Sequence, residues 1–300
     1  MNLWLRVFLP FAAGYYLSYL LRTVNAVIAP ELTRELTLTA ADLGLLTSAY
    51  LLAFAAFQIP LGLLLDRYGP RRVEAGLLLV AAAGTLLFAI GRSPFELTVA
   101  RGLIGLGVSS CLMAAFKGFA QNFPAERQAS LTGAIMASGG LGALTASLPL
   151  EFALPLLGWR GVFQGLTFLL LAVAALIFFS VPQREAGVSR DSLGAQLKDV
   201  GGILAHRVFW RFAPPMTLVT GGFLAVQGLW AVPWLMNFAG LSREAAAHHL
   251  LLMGSGMLAG FLGIAFGVAP LKARGIGPGL LLKFGMGLGL LAALLIVFDI

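Results

Sequence analysis

Charge is what this 300-residue chain has least of. Asp, Glu, Lys and Arg make up 11% of it, against about 25% in an ordinary soluble domain. So small a share cannot clothe a water-soluble globule of this length, and a soluble enzyme is excluded. The single cysteine, Cys111, excludes a disulfide framework and a cysteine zinc site. Three histidines, His206, His248 and His249, leave no ligands to spare for a histidine metal centre. No metal or cofactor is expected. The chain also lacks H-E-x-x-H, G-x-S-x-G and paired carboxylates inside its apolar runs, so a membrane-embedded enzyme has no chemistry to stand on. No G-x-x-x-x-G-K-[ST] loop is present, which argues against ATP-driven transport by this chain.

What is abundant is apolar residue, at 59% of the chain with a mean hydropathy of +0.91. It comes in blocks. Residues 43–65, 131–150, 161–183, 212–241 and 250–271 contain no Asp, Glu, Lys, Arg or His. A helix needs about 20 apolar residues to cross a bilayer. The expected fold class is therefore an all-α membrane protein, with spans near 7–29, 42–65, 73–91, 95–120, 130–157, 161–181, 211–239, 245–270 and 279–299. The 37 glycines suit helices that pack closely in lipid. The run from Val7 reads as a first span rather than a cleaved leader.

The net charge of +7 would suggest nucleic acid in a soluble protein; here its placement explains it better, and no nucleic-acid partner is expected. With the N-terminus in the cytoplasm, 13 basic residues fall on that side, from Arg6 and Arg67 through Arg127 and Lys198 to Lys283. Four, Arg34, Arg92, Arg160 and Arg243, fall on the other. Cytoplasmic loops carry such an excess. The organisation expected is a six-helix bundle over residues 1–182, a cytoplasmic linker with an amphipathic helix over 183–210, and three helices of a second bundle over 211–300. Six spans, a linker and three more read as part of a twelve-span protein, truncated within its C-terminal half.

The loop after the second span reads Gly62-Leu63-Leu64-Leu65-Asp66-Arg67-Tyr68-Gly69-Pro70-Arg71-Arg72. It resembles the signature loop of the major facilitator superfamily (MFS), G-x-x-x-D-R-x-G-R-[RK]-[RK], with Pro70 in place of a basic residue. Three further segments are similar to that family's: Arg101-x-x-x-Gly105-x-Gly107, the exit around Phe123-Pro124-Ala125-Glu126-Arg127, and Gly158-Trp159-Arg160-x-x-Phe163. The resemblance implies an MFS-type helical bundle and a secondary active transporter working by alternating access in the bacterial inner (plasma) membrane. It implies gating or coupling roles for Gly62, Asp66, Arg67, Gly69 and Arg101. Asp66 would accept hydrogen bonds from a neighbouring helix N-terminus, where the dipole favours a carboxylate. Gly62 and Gly69 would permit close helix approach and a tight turn.

Polar residues inside spans are functional hypotheses by default. Tyr15, Tyr19, Arg22 and Asn25 lie three or four apart and share one broad face of the first span. The functional reading is a site for an anionic substrate group; the bland one is an arginine reaching the outer headgroups. Gln227 and Trp230 are candidates for the opposite cavity wall, beside Pro233. Trp234 fits an aromatic belt better. Tyr50, Phe54 and Gln58 make another four-spaced face in the second span. Arg101 is alternatively a packing anchor on a backbone carbonyl. Glu74 falls at the start of a span, and Glu31 and Asp42 fall outside. This leaves Glu151, late in the fifth span, as the candidate proton carrier, against an interface carboxylate. The favoured function is uptake of a small organic anion by proton symport across the lipid bilayer. Proton-coupled export of drugs or metabolites, and a non-transporting scaffold or sensor, stay open. Gly133-x-x-x-Ala137-Ser138-Gly139-Gly140 lacks the Gly-Pro pair common in exporters of the family.

Overall fold

The computed structural model describes residues 3–146, 148–183, 200–225, 231–275 and 277–297, and these contain helices joined by short connections. A π-helical turn at Trp4–Phe8 leads into α1 (Leu9–Leu36). There follow α2 (Ala40–Ala56), α3 (Gln58–Ile90), α4 (Pro94–Val108), α5 (Cys111–Asn122), α6 (Gln128–Thr145) and α7 (Leu148–Ser180). Beyond the linker come α8 (Arg207–Ala225), α9 (Ala231–Asn237), α10 (Arg243–Ala273) and α11 (Pro278–Val297). Residues 184–199, most of the expected linker helix, lie outside the described residues.

Local chemistry sets the helix starts. Thr39 caps α2 and Ser93 caps α4, each accepting from the third residue on, whose carboxylate reaches back. Asp42 Oδ2 accepts from the Thr39 amide and hydroxyl at 2.8 and 2.6 Å, and Glu96 Oε2 from the Arg92 and Ser93 amides at 2.7 and 3.2 Å. Pro94 opens α4, where a missing N–H costs nothing.

Two glycines set the turns. Gly69 (φ 78°, ψ 164°) breaks α3 and Gly158 (φ 64°, ψ 166°) breaks α7. Both lie in a left-handed region that other residues reach only with strain. Each of these long helical runs is therefore two successive segments about a sharp corner. The expected span over 95–120 is interrupted at Ser109–Ser110, yet both residues keep right-handed helical angles, so the axis carries on from α4 to α5.

Among the described residues, four helical stretches are long and apolar enough to cross a membrane: Gln58–Ile90, Pro94–Asn122, Phe152–Ser180 and Leu251–Ala273. Ala40–Ala56 and Gly279–Leu291 are apolar but shorter. Nine spans were expected; α1, with its tyrosines, Arg22 and Asn25, is kept out of these four by the polar insertions already read in its sequence.

α3 packs along α7 and α4, α2 along α4, and α1 along α6 and α7. The interior carries stacked Phe88 and Phe163, ring centroids 4.2 Å apart. Beside them, Thr85 of α3 meets Thr167 of α7 at 2.9 Å, hydroxyl to hydroxyl, both side chains buried. Helices approach to backbone contact at Gly105, where a Cβ would strike the Tyr50 carbonyl of α2, and at Gly142, where one would strike the Tyr16 carbonyl of α1. α6 also runs against α10, with Gly133 on the backbone of Ala265 and Gly140 on the Leu258 side chain.

Candidate functional site

The expected polar face of α1 is present. Tyr15 and Asn25 are buried, and Tyr19 and Arg22 are half-buried. The Tyr15 and Tyr19 rings meet edge to face at 5.1 Å, and both lie on Gly139 of α6, which has no side chain to displace them. The Arg22 guanidinium carbon sits 4.7 Å from the Tyr19 ring centroid and 5.2 Å from that of Phe54 on α2. The phenols of Tyr50, Tyr19 and Tyr15 all lie within its electrostatic reach. Its Nε is buried with no hydrogen-bond partner. Neither ion pair among the described residues involves it; those are Lys117–Asp66 and Arg160–Glu35. Asn25 donates to Thr47 Oγ1 at 3.4 Å, while its Oδ1 is buried and unpartnered. Here are a cation held by aromatic faces, where cation–π attraction replaces a counter-ion, and an unused acceptor one turn away.

Arg101 is 1% exposed. It donates to the Leu21 carbonyl at 2.9 Å and lies 4.6 Å from the Tyr50 ring centroid. It thus grips the peptide unit that joins Leu21 to Arg22, and fixes the backbone from which Arg22 projects. Tyr50 stands between the two arginines, stacked on Phe54 at 6.3 Å. It belongs to the same cluster, as its place on the four-spaced face of the second span allowed.

At one end of these helices, Asp66 accepts from Lys117 Nζ at 2.5 Å. Among the described residues its partner is this lysine of α5 and not a helix N-terminus. The family loop alone could not show this, because Lys117 lies 51 residues away. Arg67 is exposed, 5.5 Å from the Tyr68 ring centroid. Gly69 makes the expected tight turn. Gly62 does not serve close approach: a Cβ there would meet nothing within 4 Å.

At the other end, Glu35 closes a cluster missed in the sequence. Trp159 Nε1 donates to Glu35 Oε2 at 2.6 Å, and Arg160 donates to Oε1 at 3.1 and 2.9 Å. Arg160 also donates to the carbonyls of Ala89 and Gly91, at 2.9 and 2.8 Å. The Trp159 N–H above all, then Arg160, holds the Glu35 carboxyl below its ordinary range.

Glu74 stands at the start of a helical segment, just past the Gly69 corner, as expected. What its position did not show is that it is fully buried, with neither carboxylate oxygen hydrogen-bonded. A signal was available, since Glu74, Leu78, Ala81, Thr85 and Phe88 form one helical stripe, and all are buried. Glu151 lies on α7, with its side chain outside the described residues. Gln227 and Trp230 are likewise outside them. Trp234 and Asn237 are exposed.

The four apolar stretches able to cross a bilayer, with a cluster of tyrosines and two arginines set among the helices, define a polytopic integral membrane protein. The profile of the Major Facilitator Superfamily matches residues 11–298, and the chain belongs to that family, one of transporters and not of enzymes. It is 26% identical to the hexuronate transporter of Escherichia coli K12, over 94% of this chain and 69% of that protein. It is also 26% identical to the galacturonate transporter of Dickeya chrysanthemi, over 68% of this chain and 64% of that one. Among solved structures, the proton:xylose symporter superposes with a TM-score of 0.60 at 18% identity, over 88% of this chain and 70% of that chain. This last likeness concerns the fold.

Proposed function

We propose that this chain takes up a small organic anion, a sugar acid of the uronate kind, by proton symport and alternating access. In this reading it lies in the bacterial inner membrane with its N-terminus in the cytoplasm. Residues 1–182 form the first six-helix bundle, 183–210 a cytoplasmic linker, and 211–300 the start of the second bundle. Arg22 binds the carboxylate, flanked by Tyr15, Tyr19 and Asn25; Arg101 holds Arg22 in place. Gln227 and Trp230 serve the facing wall, and Gly62, Asp66, Arg67, Gly69 and Glu151 act in gating or coupling.

One observation carries the reading: a half-buried guanidinium that neither described ion pair uses, beside an unpartnered amide oxygen. Placing a cation at the bilayer centre costs roughly 2.5–3.5 kcal/mol on insertion scales. A wall that only packs would carry leucine. The names of the hexuronate and galacturonate transporters support an acidic sugar as the ligand class.

The test is equilibrium binding of labelled glucuronate, and of neutral glucose as control, to the purified full chain. Wild type should bind glucuronate and not glucose. Arg22→Lys keeps the charge and loses the planar fork that matches two carboxylate oxygens, so binding should weaken tenfold or more. Arg22→Ala should abolish it. Equal affinity in wild type and Arg22→Lys would mean that Arg22 reaches to the headgroups, and would remove the ground for an anion site.

A further inference from the structure

We propose that Glu74 is a proton-binding residue of the transport cycle, separate from the Arg22 cluster; this rests on the proton-coupled reading above. The geometry singles it out. Its carboxyl is fully buried, and both oxygens lack a hydrogen-bond partner.

Each packed element contributes to that isolation. α1 presents Gly14, where any Cβ would collide with Glu74 Oε1, and α7 presents Ile177 beside it. α5 presents the buried Cys111 thiol, which faces the carboxyl without forming a hydrogen bond of good geometry. Tyr15 and Arg22 lie further along α1, with Tyr15 packed on Tyr19 and Gly139 and Arg22 on the Tyr19 and Phe54 rings. On α3 itself, Arg71 lies one turn earlier, but its guanidinium sits 4.8 Å from the Phe178 ring centroid. Lys117 of α5 is taken by Asp66.

A carboxylate with no countercharge and no better donor nearby than a thiol is costly in an apolar interior, far more than a neutral acid. Something must cancel its charge while the helices are closed around it. A metal ion would need several ligands, and no group of three His, Cys, Asp or Glu side chains is assembled among the described residues. A proton needs only the carboxyl oxygen. The step balances simply: one proton adds to a Glu74 carboxylate oxygen as α1, α3 and α5 close over it. The same proton leaves that oxygen for water when the seam opens. Gly14 leaves room for the acid and keeps α1 in contact with it, so protonation and the α1–α3 spacing are linked. α1 also carries Arg22, which connects the proton to the substrate site through one rigid helix.

Two measurements on the full chain in phospholipid vesicles test this. The first needs no substrate. Infrared spectra of wild type minus Glu74→Gln, taken across a pH series, should contain one protonated-carboxyl C=O band that comes and goes with pH and shifts in D2O. A difference spectrum without such a band overturns the proposal. Should Glu74→Gln not fold, Gly14→Ala presses a methyl on the carboxyl and should move the midpoint of an acid C=O band; no movement overturns it equally.

The second is transport of labelled glucuronate. Glu74→Gln should lose gradient-driven accumulation at least tenfold, while exchange against unlabelled glucuronate stays within about twofold of wild type. Accumulation retained by Glu74→Gln, or exchange lost together with accumulation, overturns the coupling role. Wild type that neither binds nor exchanges glucuronate defeats the uronate reading instead, and the infrared arm still decides Glu74.

Discussion

Removing Glu35 should loosen a three-helix staple, and the size of the effect follows from its contacts. Glu35 ends α1, Trp159 and Arg160 follow the Gly158 corner of α7, and Arg160 also binds the last carbonyls of α3. The Arg160 and Glu35 side chains are 32% and 47% exposed, so their Coulomb attraction is screened and contributes about 0.5–1 kcal/mol at most. The Trp159 N–H matters more. Trp159 is 3% exposed, and losing its acceptor leaves a buried donor unsatisfied, at about 1–3 kcal/mol. Glu35→Ala should therefore cost roughly 2–3 kcal/mol. Glu35→Gln, which keeps an acceptor oxygen, should cost under about 1 kcal/mol. The acid dependence has a definite sign. The folded-state carboxyl sits below its unfolded value, so its contribution is full above the unfolded pKa, about 4.3 for Glu. It fades as pH falls through the lower folded value. Thermal unfolding of the detergent-solubilised protein, followed by loss of the monodisperse peak, measures this. At neutral pH Glu35→Ala should unfold several degrees below wild type and Glu35→Gln between them. The gap between wild type and Glu35→Gln should close in strong acid. Identical unfolding temperatures for wild type and Glu35→Ala at neutral pH would refute the staple.

Asp66→Asn, which deprives Lys117 of its counter-ion, should slow glucuronate exchange in vesicles more than Arg67→Lys, whose side chain is exposed; equal rates would count against a gating role for Asp66. The buried hydroxyl pair of Thr85 and Thr167 should show a coupling of about 0.6 kcal/mol in a Thr85→Val/Thr167→Val double-mutant cycle of thermal stability, and additivity would mean the two do not interact. Gly142→Val, whose Cβ would fall on the Tyr16 carbonyl, should force α1 from α6 at about 1–3 kcal/mol. Gly62→Ala, which meets nothing within 4 Å, should unfold at or slightly above the wild-type temperature, since alanine favours a helix interior by about 0.5–1 kcal/mol.

Sequence order reveals some of these features and hides others for a physical reason. The apolar blocks, the Gly69 and Gly158 corners and the tyrosine–arginine face of α1 are local: spacing and residue type suffice to read them. The partners are not local. Lys117 finds Asp66 across 51 residues and Arg160 finds Glu35 across 125, and no periodicity links either pair. Arg101 fastening the Leu21 carbonyl is further removed, because the acceptor is backbone, which every residue carries. Glu74 misleads in the opposite way. Its place beside Arg71 and Arg72 at the start of a span suggests the membrane surface, whereas its helical phase aligns it with Leu78 and Thr85 in the interior. Phase outranks proximity to charge once a helix has turned inward at Gly69.

The seam between α6 and α10 has a mechanical consequence. Gly133 lays bare backbone against the Ala265 backbone and Gly140 receives the Leu258 side chain, so at these two points α6 projects no side chain of its own into the seam. Meshed teeth would have to be lifted clear before either helix could turn. A smooth bearing lets one helix roll on the other through many small angles while contact is kept. A bulky residue at Gly133 would fall on the Ala265 backbone and prise the two helices apart, so the bearing would be lost along with the contact.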